Sequence, residues 1–281
     1  MVIYRLAIVY LLTAATLAVK LEPTMDIEPK NSPQISIGML ESSTRRYDGY
    51  VLAMEWAGGL CKTSKCTKNR PIQLNYFNIH GLWPTILNNS FLSPSFCHAN
   101  HIDYSHLSSK LRIRIWGHWN ALYKPEDWFL DHEWLRHGTC WTPQLLSPVE
   151  TSKLPDYLQD TILEASNAYK SGNYDPNYFL QVALSLASNY NPAALLAANN
   201  IHPDSSKQIT TDRLVSALAK VNITNFGAVC QVDNRGKSML TEIHLCFSPS
   251  YNPIDCDRQD IKCPRMFVYA ADSGDAMVSP T

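Results

Sequence analysis

The chain has 281 residues, eight of them cysteine, with 24 lysines and arginines against 25 aspartates and glutamates. This length fits one large domain or two small ones, and a composition with 45% hydrophobic and 17% charged residues excludes a largely disordered protein. A formal net charge of −1 also excludes a protein that holds nucleic acid on a broad basic surface, because such a surface must neutralise many phosphates. An enzyme that contacts nucleic acid briefly is compatible with this balance.

Residues 1–19 have the pattern of a signal peptide. Arg5 precedes an apolar run, Leu6 to Val19, that is shorter than the roughly 20 residues of a membrane-spanning helix. We therefore expect a secreted chain without membrane contact after signal removal, with an uncleaved membrane anchor as the alternative. Residues 20–46 contain prolines and no periodicity, which indicates a flexible lead-in or propeptide. Two N-x-[ST] sequons mark Asn88 and Asn222 as candidate glycosylation sites.

From Tyr50 onward the pattern predicts strands at both ends of the chain and helices between them. Runs rich in aromatic and β-branched residues predict the strands, and apolar residues at helical spacing predict the helices. This order is typical of an α+β domain with an antiparallel sheet. Strands are predicted at 50–56, 73–81, 226–233 and 238–248, and helices at 106–123, 131–137, 148–170, 176–188 and 211–221, the last capped by Thr211 or Asp212.

Two short segments concentrate the chemically active side chains: FNIHGLWP at 77–84 and DHEWLRHGTC at 131–140. In a helix, residues four apart share a face, so the second segment would place a carboxylate beside one imidazole and a guanidinium beside another. A carboxylate orients an imidazole and favours its cation, while a guanidinium and an imidazole together offer several donors to a phosphate. The pairs are Glu133 with His137 and His132 with Arg136, and His80 is the imidazole that would complete an acid–base pair.

This set of groups suits RNA cleavage without a metal. The 2′-hydroxyl of RNA can attack its own phosphodiester, which requires a base, an acid and cations around the transition state. A zinc site of the H-E-x-x-H type is excluded, because His132 and His137 are five residues apart, about 140° around a helix. We therefore expect no metal and no other cofactor.

Together and in this order, the two segments resemble the active-site segments of the T2 ribonucleases. The resemblance covers residues 47–270, and residues 271–281 are expected to form a C-terminal tail. The resemblance implies an α+β fold with a central antiparallel β-sheet flanked by helices. It also implies a monomeric endoribonuclease, secreted or in the lysosome or vacuole lumen. Such an enzyme cleaves single-stranded RNA through a 2′,3′-cyclic phosphate with low base specificity and forms no stable nucleic-acid complex. By resemblance, His80 is the general acid, His137 the general base and His132 a phosphate ligand, while Glu133 and Arg136, usually lysine in the family, stabilise the transition state.

The resemblance further implies a disulfide pairing and a base pocket. The cysteine count alone allows 105 pairings; the resemblance selects Cys61–Cys66, Cys97–Cys140, Cys230–Cys263 and Cys246–Cys256. Trp83 is expected to stack on a base, with a core role as the alternative, and Glu55 either contacts a base or is a surface charge at the strand end. Core positions are expected for Trp56, Trp116, Trp119 and Trp128, and structural roles for His98, His101, His118, His202 and His244.

A different class of function stays open on the sequence alone. Because one fold can host several functions, the chain could be an extracellular binding or toxin-like protein in which RNA cleavage is secondary. An active two-histidine enzyme needs one neutral and one protonated imidazole, so its activity should depend on pH as a bell, with a maximum expected below neutrality.

Overall fold

One β-sheet organises the part of the chain that the structure describes. This computed structural model describes residues 47–66, 75–87, 93–122, 125–143, 152–257 and 260–272. The strands are β1 (Gly49–Glu55), β2 (Asn78–Thr85), β3 (Ile209–Thr210), β4 (Gly227–Val232), β5 (Ser238–Phe247), β6 (Pro253–Ile254), β7 (Asp260–Lys262) and β8 (Met266–Phe267). The sheet order is β2-β1-β5-β4-β7, with β6 paired to β5, and β3 pairs separately with β8. All of these neighbours are antiparallel except β4 and β7.

One helix lies between β1 and β2, and the other helices of the described residues lie between β2 and β4. The helices are α1 (Ala57–Thr63), α2 (Ser109–His118), α3 (Glu126–Arg136), α4 (Asp156–Lys170), α5 (Pro176–Asn189), α6 (Pro192–Ala197) and α7 (Thr211–Ala219), with single 3-10 turns at Tyr104–His106 and Gly138–Cys140. The central helix is α5, which packs against β1, β2, α2 and α4. The Asp175 side chain accepts a hydrogen bond from the Asn177 amide, and Pro176 occupies the first turn, where its missing amide hydrogen is not needed.

The two faces of the sheet differ in chemistry because side chains alternate along each strand. On one face the paired residues of β2, β1 and β5 are apolar and fully buried, in the rows Leu82–Leu52–Leu245 and Ile79–Met54–Ile243. On the other face Ala53 pairs with Gly81 and with His244. The core therefore lies behind the sheet, and the polar side chains named by the sequence analysis lie in front of it.

The α+β architecture agrees with the sequence prediction, whereas several boundaries differ. The predicted second strand begins only at Asn78, and the helix predicted at 131–137 begins five residues earlier, because Phe129 and Leu130 are buried on the same helix as Trp134. The cap of α7 is Thr210, which accepts from the Arg213 amide, instead of Thr211 or Asp212. The short elements β3, β6, β7, β8, α1 and α6 were not predicted, since strands of two or three residues and helices of six or seven have too few positions for a clear periodic pattern.

The four predicted disulfides are all formed, which confirms the pairing. Cys97–Cys140 ties the segment after β2 to the 3-10 turn that follows α3. All of the described residues belong to one compact unit. The predicted signal peptide, the lead-in, Asn88 and most of the C-terminal tail lie outside the described residues. Within the described ranges, no helix has the length and apolar character needed to cross a membrane.

Candidate active site

His80 lies on β2 at a β-bulge. The pairing of β2 with β1 skips one residue between Ile79 and Gly81, so His80 is the extra residue. A bulge re-aims the side chain of the inserted residue. His80 therefore shares the front face with Trp83, three residues away, and the two ring centroids are 5.2 Å apart.

The segment after α2 fixes the backbone around this bulge. Trp119, fully buried as predicted, donates from Nε1 to the carbonyl of His80 at 3.0 Å. Asn78 Nδ2 donates to the Asn120 carbonyl at 2.6 Å, and Asn78 Oδ1 accepts from the Asn120 amide at 2.7 Å. Three hydrogen bonds to a distant part of the chain thus hold the β2 backbone at His80.

The indole of Trp83 is the centre of the cluster. Its centroid lies 5.2 Å from His80, 5.3 Å from His137 and 5.5 Å from His244. Its Nε1 donates to Glu133 Oε2 at 2.9 Å. The structure therefore brings together four of the residues that the sequence predicted and adds His244, which the sequence analysis had assigned a structural role.

Gly81 is the position that allows this close approach. A Cβ atom there would lie 2.2 Å from Glu133 Oε2 and 2.3 Å from Trp83 Nε1. The hydrogen bond between these two side chains therefore occupies the space that any other residue would need.

His137 lies just beyond the end of α3 and not within it. It is the C-cap, with φ −119° and ψ −49°, and its amide donates to the Glu133 carbonyl at 3.0 Å. The Glu133 carboxylate contacts Trp83 and lies 3.8 Å from His80 Nε2. The expectation that Glu133 supports His137 from a shared helical face is corrected here, because the Glu133 carboxylate is engaged by Trp83 and lies next to His80 instead.

His132 and Arg136 flank the cluster on the outer side of α3. His132 is half-buried and stacks on Trp128, with the ring centroids 5.0 Å apart and the planes 9° from parallel. Arg136 is exposed. Trp128 is 52% exposed and Trp116 is 41% exposed, so the prediction that both are core residues is wrong.

Three carboxylates from three elements face the His80 imidazole. Glu242 Oε1 of β5 lies 2.7 Å from Nδ1, Glu55 Oε1 of β1 lies 3.8 Å from Nδ1, and Glu133 Oε1 of α3 lies 3.8 Å from Nε2. Burial by itself lowers the pKa of His80. The hydrogen bond to Glu242 and the three negative charges outweigh burial and raise this pKa to about 10. His80 therefore carries a proton at neutral pH.

His137 has the opposite ionisation. Burial lowers its pKa, and the positive charges of Arg136, His80 and His132 lower it further, to about 3. Its Nδ1 is buried and, among the residues described, has no hydrogen-bond partner. The cluster thus holds one protonated and one neutral imidazole against the same indole.

Glu55 lies beneath His80 and is 1% exposed. This burial contradicts a surface charge at the strand end and leaves almost no exposed surface for contact with a base, because β1 is flanked by β2 and β5. Burial, together with the negative charges of Glu242 and Glu133, raises the pKa of Glu55 to about 7. The positive charge of His80 lowers this pKa but offsets only part of the rise. Its Oε2 has no hydrogen-bond partner in the described part of the chain.

Sequence reasoning missed Glu242 and misread His244. Glu242 Oε1 bonds His80 Nδ1, and its Oε2 lies 2.7 Å from His244 Nε2. The two residues alternate with buried Ile243 and Leu245 along β5. A carboxylate and an imidazole two residues apart in a predicted strand lie on one face, and this signal could have identified them.

Glu55, His80 and Glu242 also have the atom types of a metal site, since their ligand atoms lie within 4.8 Å of one another. A proton on His80 Nδ1 competes with a cation for the same lone pair.

On the other side of His244, a groove of about 470 Å³, counted with its open mouth, continues along the front face. It is lined in part by Val51, Thr85, Leu87 and Gly227.

Comparison with known proteins identifies the family. The model of the Ribonuclease T2 family matches residues 47–256. The chain belongs to the ribonuclease T2 family. Ribonuclease 1 of Arabidopsis thaliana is 25% identical and spans 82% of this chain and 85% of its own length. Ribonuclease Rh of Rhizopus niveus is 28% identical over 72% of each chain.

Solved structures show the same T2 fold. RNase NT, solved in complex with 5′-AMP, superposes with a TM-score of 0.61 at 21% identity and covers 80% of this chain and 99% of its own. An RNase-related protein from Calystegia sepium gives 0.58 at 20% identity, with 81% and 98% covered. The family, the α+β fold and the class of endoribonuclease, all predicted from the sequence, are confirmed.

We expect Gly81→Ala to abolish most of the RNA-cleaving activity of this T2 ribonuclease. The added methyl group would lie 2.2 Å from Glu133 Oε2, so the Glu133–Trp83 hydrogen bond must break and the rate should fall by at least about tenfold. Initial rates on RNA would measure the effect. Gly117→Ala is the matched control, since a Cβ there meets nothing within 4 Å; full activity in Gly81→Ala would contradict the packing described.

Glu55→Gln should make the protein relatively more stable as the pH rises. The pKa of Glu55 is about 7 in the folded state, above the ordinary carboxyl value, so its contribution to stability is present at low pH and is lost as the pH rises toward 7. Between pH 5 and pH 8 the variant should gain on the order of 2 kcal/mol over the wild type. Urea unfolding at both pH values measures this gain, with the exposed Glu164→Gln as control; equal gains at both pH values would refute it.

Proposed function

We propose that this protein is a secreted, metal-independent endoribonuclease that cleaves single-stranded RNA by transesterification. The observation that carries the proposal is that His80, held protonated, and His137, held neutral, contact the same Trp83 indole. An acid and a base are thereby present together at one pH, which general acid–base catalysis requires.

In the proposed first step, the 2′-hydroxyl oxygen attacks the adjacent phosphorus. Its proton passes to His137, the P–O5′ bond breaks, and His80 donates a proton to the leaving 5′-oxygen. The products are a 2′,3′-cyclic phosphate and a free 5′-hydroxyl end. Because Nδ1 of His80 is bonded to Glu242, Nε2 is the nitrogen that faces the leaving group. In the slower second step, water attacks the cyclic phosphate and the two imidazoles exchange roles.

Two side chains of α3 would bind the phosphate. His132 offers a ring N–H donor, and the exposed Arg136 supplies a permanent charge near the developing oxyanion. A guanidinium has a planar fork where the usual lysine has a point charge, so Arg136 would contact two phosphate oxygens at once. Glu133, whose carboxylate accepts a hydrogen bond from Trp83 Nε1, would contribute its negative charge to the stabilisation of the transition state.

A base is proposed to rest against the half-exposed Trp83 and in the groove beyond His244. The groove is lined by small, apolar and cysteine side chains as well as by Asp257 and Asp260. Stacking on an indole tolerates every base, which supports low base specificity.

Secretion is supported by the four disulfides and by a relative named Extracellular ribonuclease LE from Solanum lycopersicum, 25% identical over 79% of this chain and 83% of its own. The destination is proposed as outside the cell or the lysosome or vacuole lumen. Asn222 is exposed in a left-handed turn with φ 61°, where a glycan could be attached. The protein is proposed to act as a monomer that releases its RNA.

His80→Ala and His137→Ala should each reduce RNA cleavage by at least about 100-fold, since each removes one partner of the acid–base pair. Wild-type cleavage should persist in excess EDTA. Product analysis on defined dinucleotides, with circular dichroism as the control for folding, would measure both. Loss of wild-type activity in EDTA would instead assign the Glu55, His80 and Glu242 cluster to a metal.

If a biological effect of the wild type survives in His137→Ala, the alternative of a binding protein, in which RNA cleavage is secondary, is favoured.

The pKa values of the two histidines predict a wide plateau in kcat/KM. His137 must be neutral, so activity should fall as the pH drops toward 3, and His80 must be protonated, so activity should fall as the pH rises toward 10. Between pH 5 and pH 8 the change should be small, which replaces the expected maximum below neutrality. A narrow peak with both limbs inside that range would contradict these ionisation states.

A further inference from the structure

Glu242 lies between two imidazoles on the front face of the sheet. Its Oε1 is 2.7 Å from His80 Nδ1, and its Oε2 is 2.7 Å from His244 Nε2. All three side chains are half-buried, with exposed fractions of 23% for His80, 16% for Glu242 and 22% for His244. Both carboxylate oxygens are thus engaged, each by a different ring.

The strand order makes this bridge feasible. The carboxylate of β5 must reach across β1 to contact His80 on β2. On β1, Ala53 pairs with His244 on one side and Gly81 on the other. The side chain of Ala53 is only a methyl group, so the residue of β1 beside His244 and Gly81 adds little bulk between β5 and β2.

We propose that Glu242 is the positioning residue for His80, and that His244 in turn positions Glu242. This rests on the proposed role of His80 as the acid. A carboxylate on Nδ1 fixes the tautomer and ring orientation, so that Nε2 carries the transferable proton toward the substrate. Without such a partner, the ring could rotate and present the wrong nitrogen.

The other charged groups around His80 cannot supply this bond. Glu55 faces the ring from β1 and Glu133 faces it from α3, both at 3.8 Å, beyond hydrogen-bond distance. On the remaining side, beyond Trp83, lies His137, which is neutral and supplies no negative charge to His80. Glu242 is therefore the acceptor that holds the ring, and the other groups act through charge alone.

His244 has a corresponding function on the outer oxygen. Its Nε2 holds Glu242 Oε2, and its ring packs edge-on against Trp83 at 5.5 Å. Burial would raise the pKa of Glu242, but hydrogen bonds from His244 and His80 lower it to about 2. A carboxylate ionised down to this pH keeps its bond to His80 through the working range of the enzyme.

The test compares Glu242→Gln, Glu242→Asp and Glu242→Ala with the wild type. Two quantities are measured: kcat and KM on a dinucleotide, and the pKa of His80 by NMR titration of its imidazole, with the resonance assigned by its absence in His80→Ala. Glu242→Gln should lower kcat by at least about tenfold with little change in KM, lower the pKa of His80, and move the alkaline limb of the rate profile to lower pH. Glu242→Asp should recover part of the activity.

His244→Ala should cause a smaller fall in kcat, about two- to fivefold, since Glu242 keeps one of its partners. His101→Ala is the matched control, because His101 Nδ1 lies 2.6 Å from Asp131 in a histidine–carboxylate pair outside the site, and should leave kcat unchanged. A change in KM alone in His244→Ala would overturn its positioning role.

Failure of this inference can be separated from failure of the proposed function. If the wild type cleaves RNA, His80→Ala does not, and Glu242→Gln keeps both kcat and the His80 pKa, then Glu242 is not the positioning residue. If His80→Ala itself stays active, the assignment of the acid is wrong. A kcat loss in Glu242→Ala that merely follows the folded fraction, with normal activity in Glu242→Gln, would show that Glu242 is structural only.

Discussion

A protonated imidazole on the half-buried face of a β-sheet requires an anion beside it, because burial alone favours the neutral form. Here Glu242 is that anion, 2.7 Å from His80. The positive charge of His80 then affects the ionisation of its neighbours: it lowers the pKa of Glu55 and Glu133 against the effect of burial, and it contributes to the low pKa of His137. The ion pair of Glu242 with His80 therefore keeps His80 protonated, and the charge of His80 adds to the effects of burial and Arg136 on His137.

The second requirement is spatial, and the Trp83 indole meets it. Three imidazoles surround this ring at centroid distances between 5.2 and 5.5 Å. Glu133 accepts from its Nε1, which fixes the plane of the indole, and Gly81 leaves room for that bond. The elements that supply these groups are held in turn by the Cys97–Cys140 disulfide and by the hydrogen bonds of Trp119 and Asn120 to β2. The core behind the sheet thus maintains the geometry in front of it.

Much of this site could be read from two contiguous segments, since a motif places its side chains near one another in the chain. His80, Trp83, Glu133 and His137 were found in this way. Glu242 was not, because it is 162 residues from His80 and meets it only when β5 pairs with β1. The burial of Glu55 was missed for a related reason: a residue at the end of a strand is exposed or buried according to the strands on either side.

The sequence by itself determined the family, the α+β class, the cysteine pairing implied by resemblance and the residue types that carry the chemistry, because local patterns and short motifs encode these. Only the tertiary structure decided which side chains meet and how they ionise. The bulge that turns His80 toward Trp83, the end of α3 before His137 and the bridge from Glu242 to His80 and His244 depend on strand register and helix termination. A pKa depends on burial and on distances to charges from other elements, and these quantities do not exist until the chain has folded.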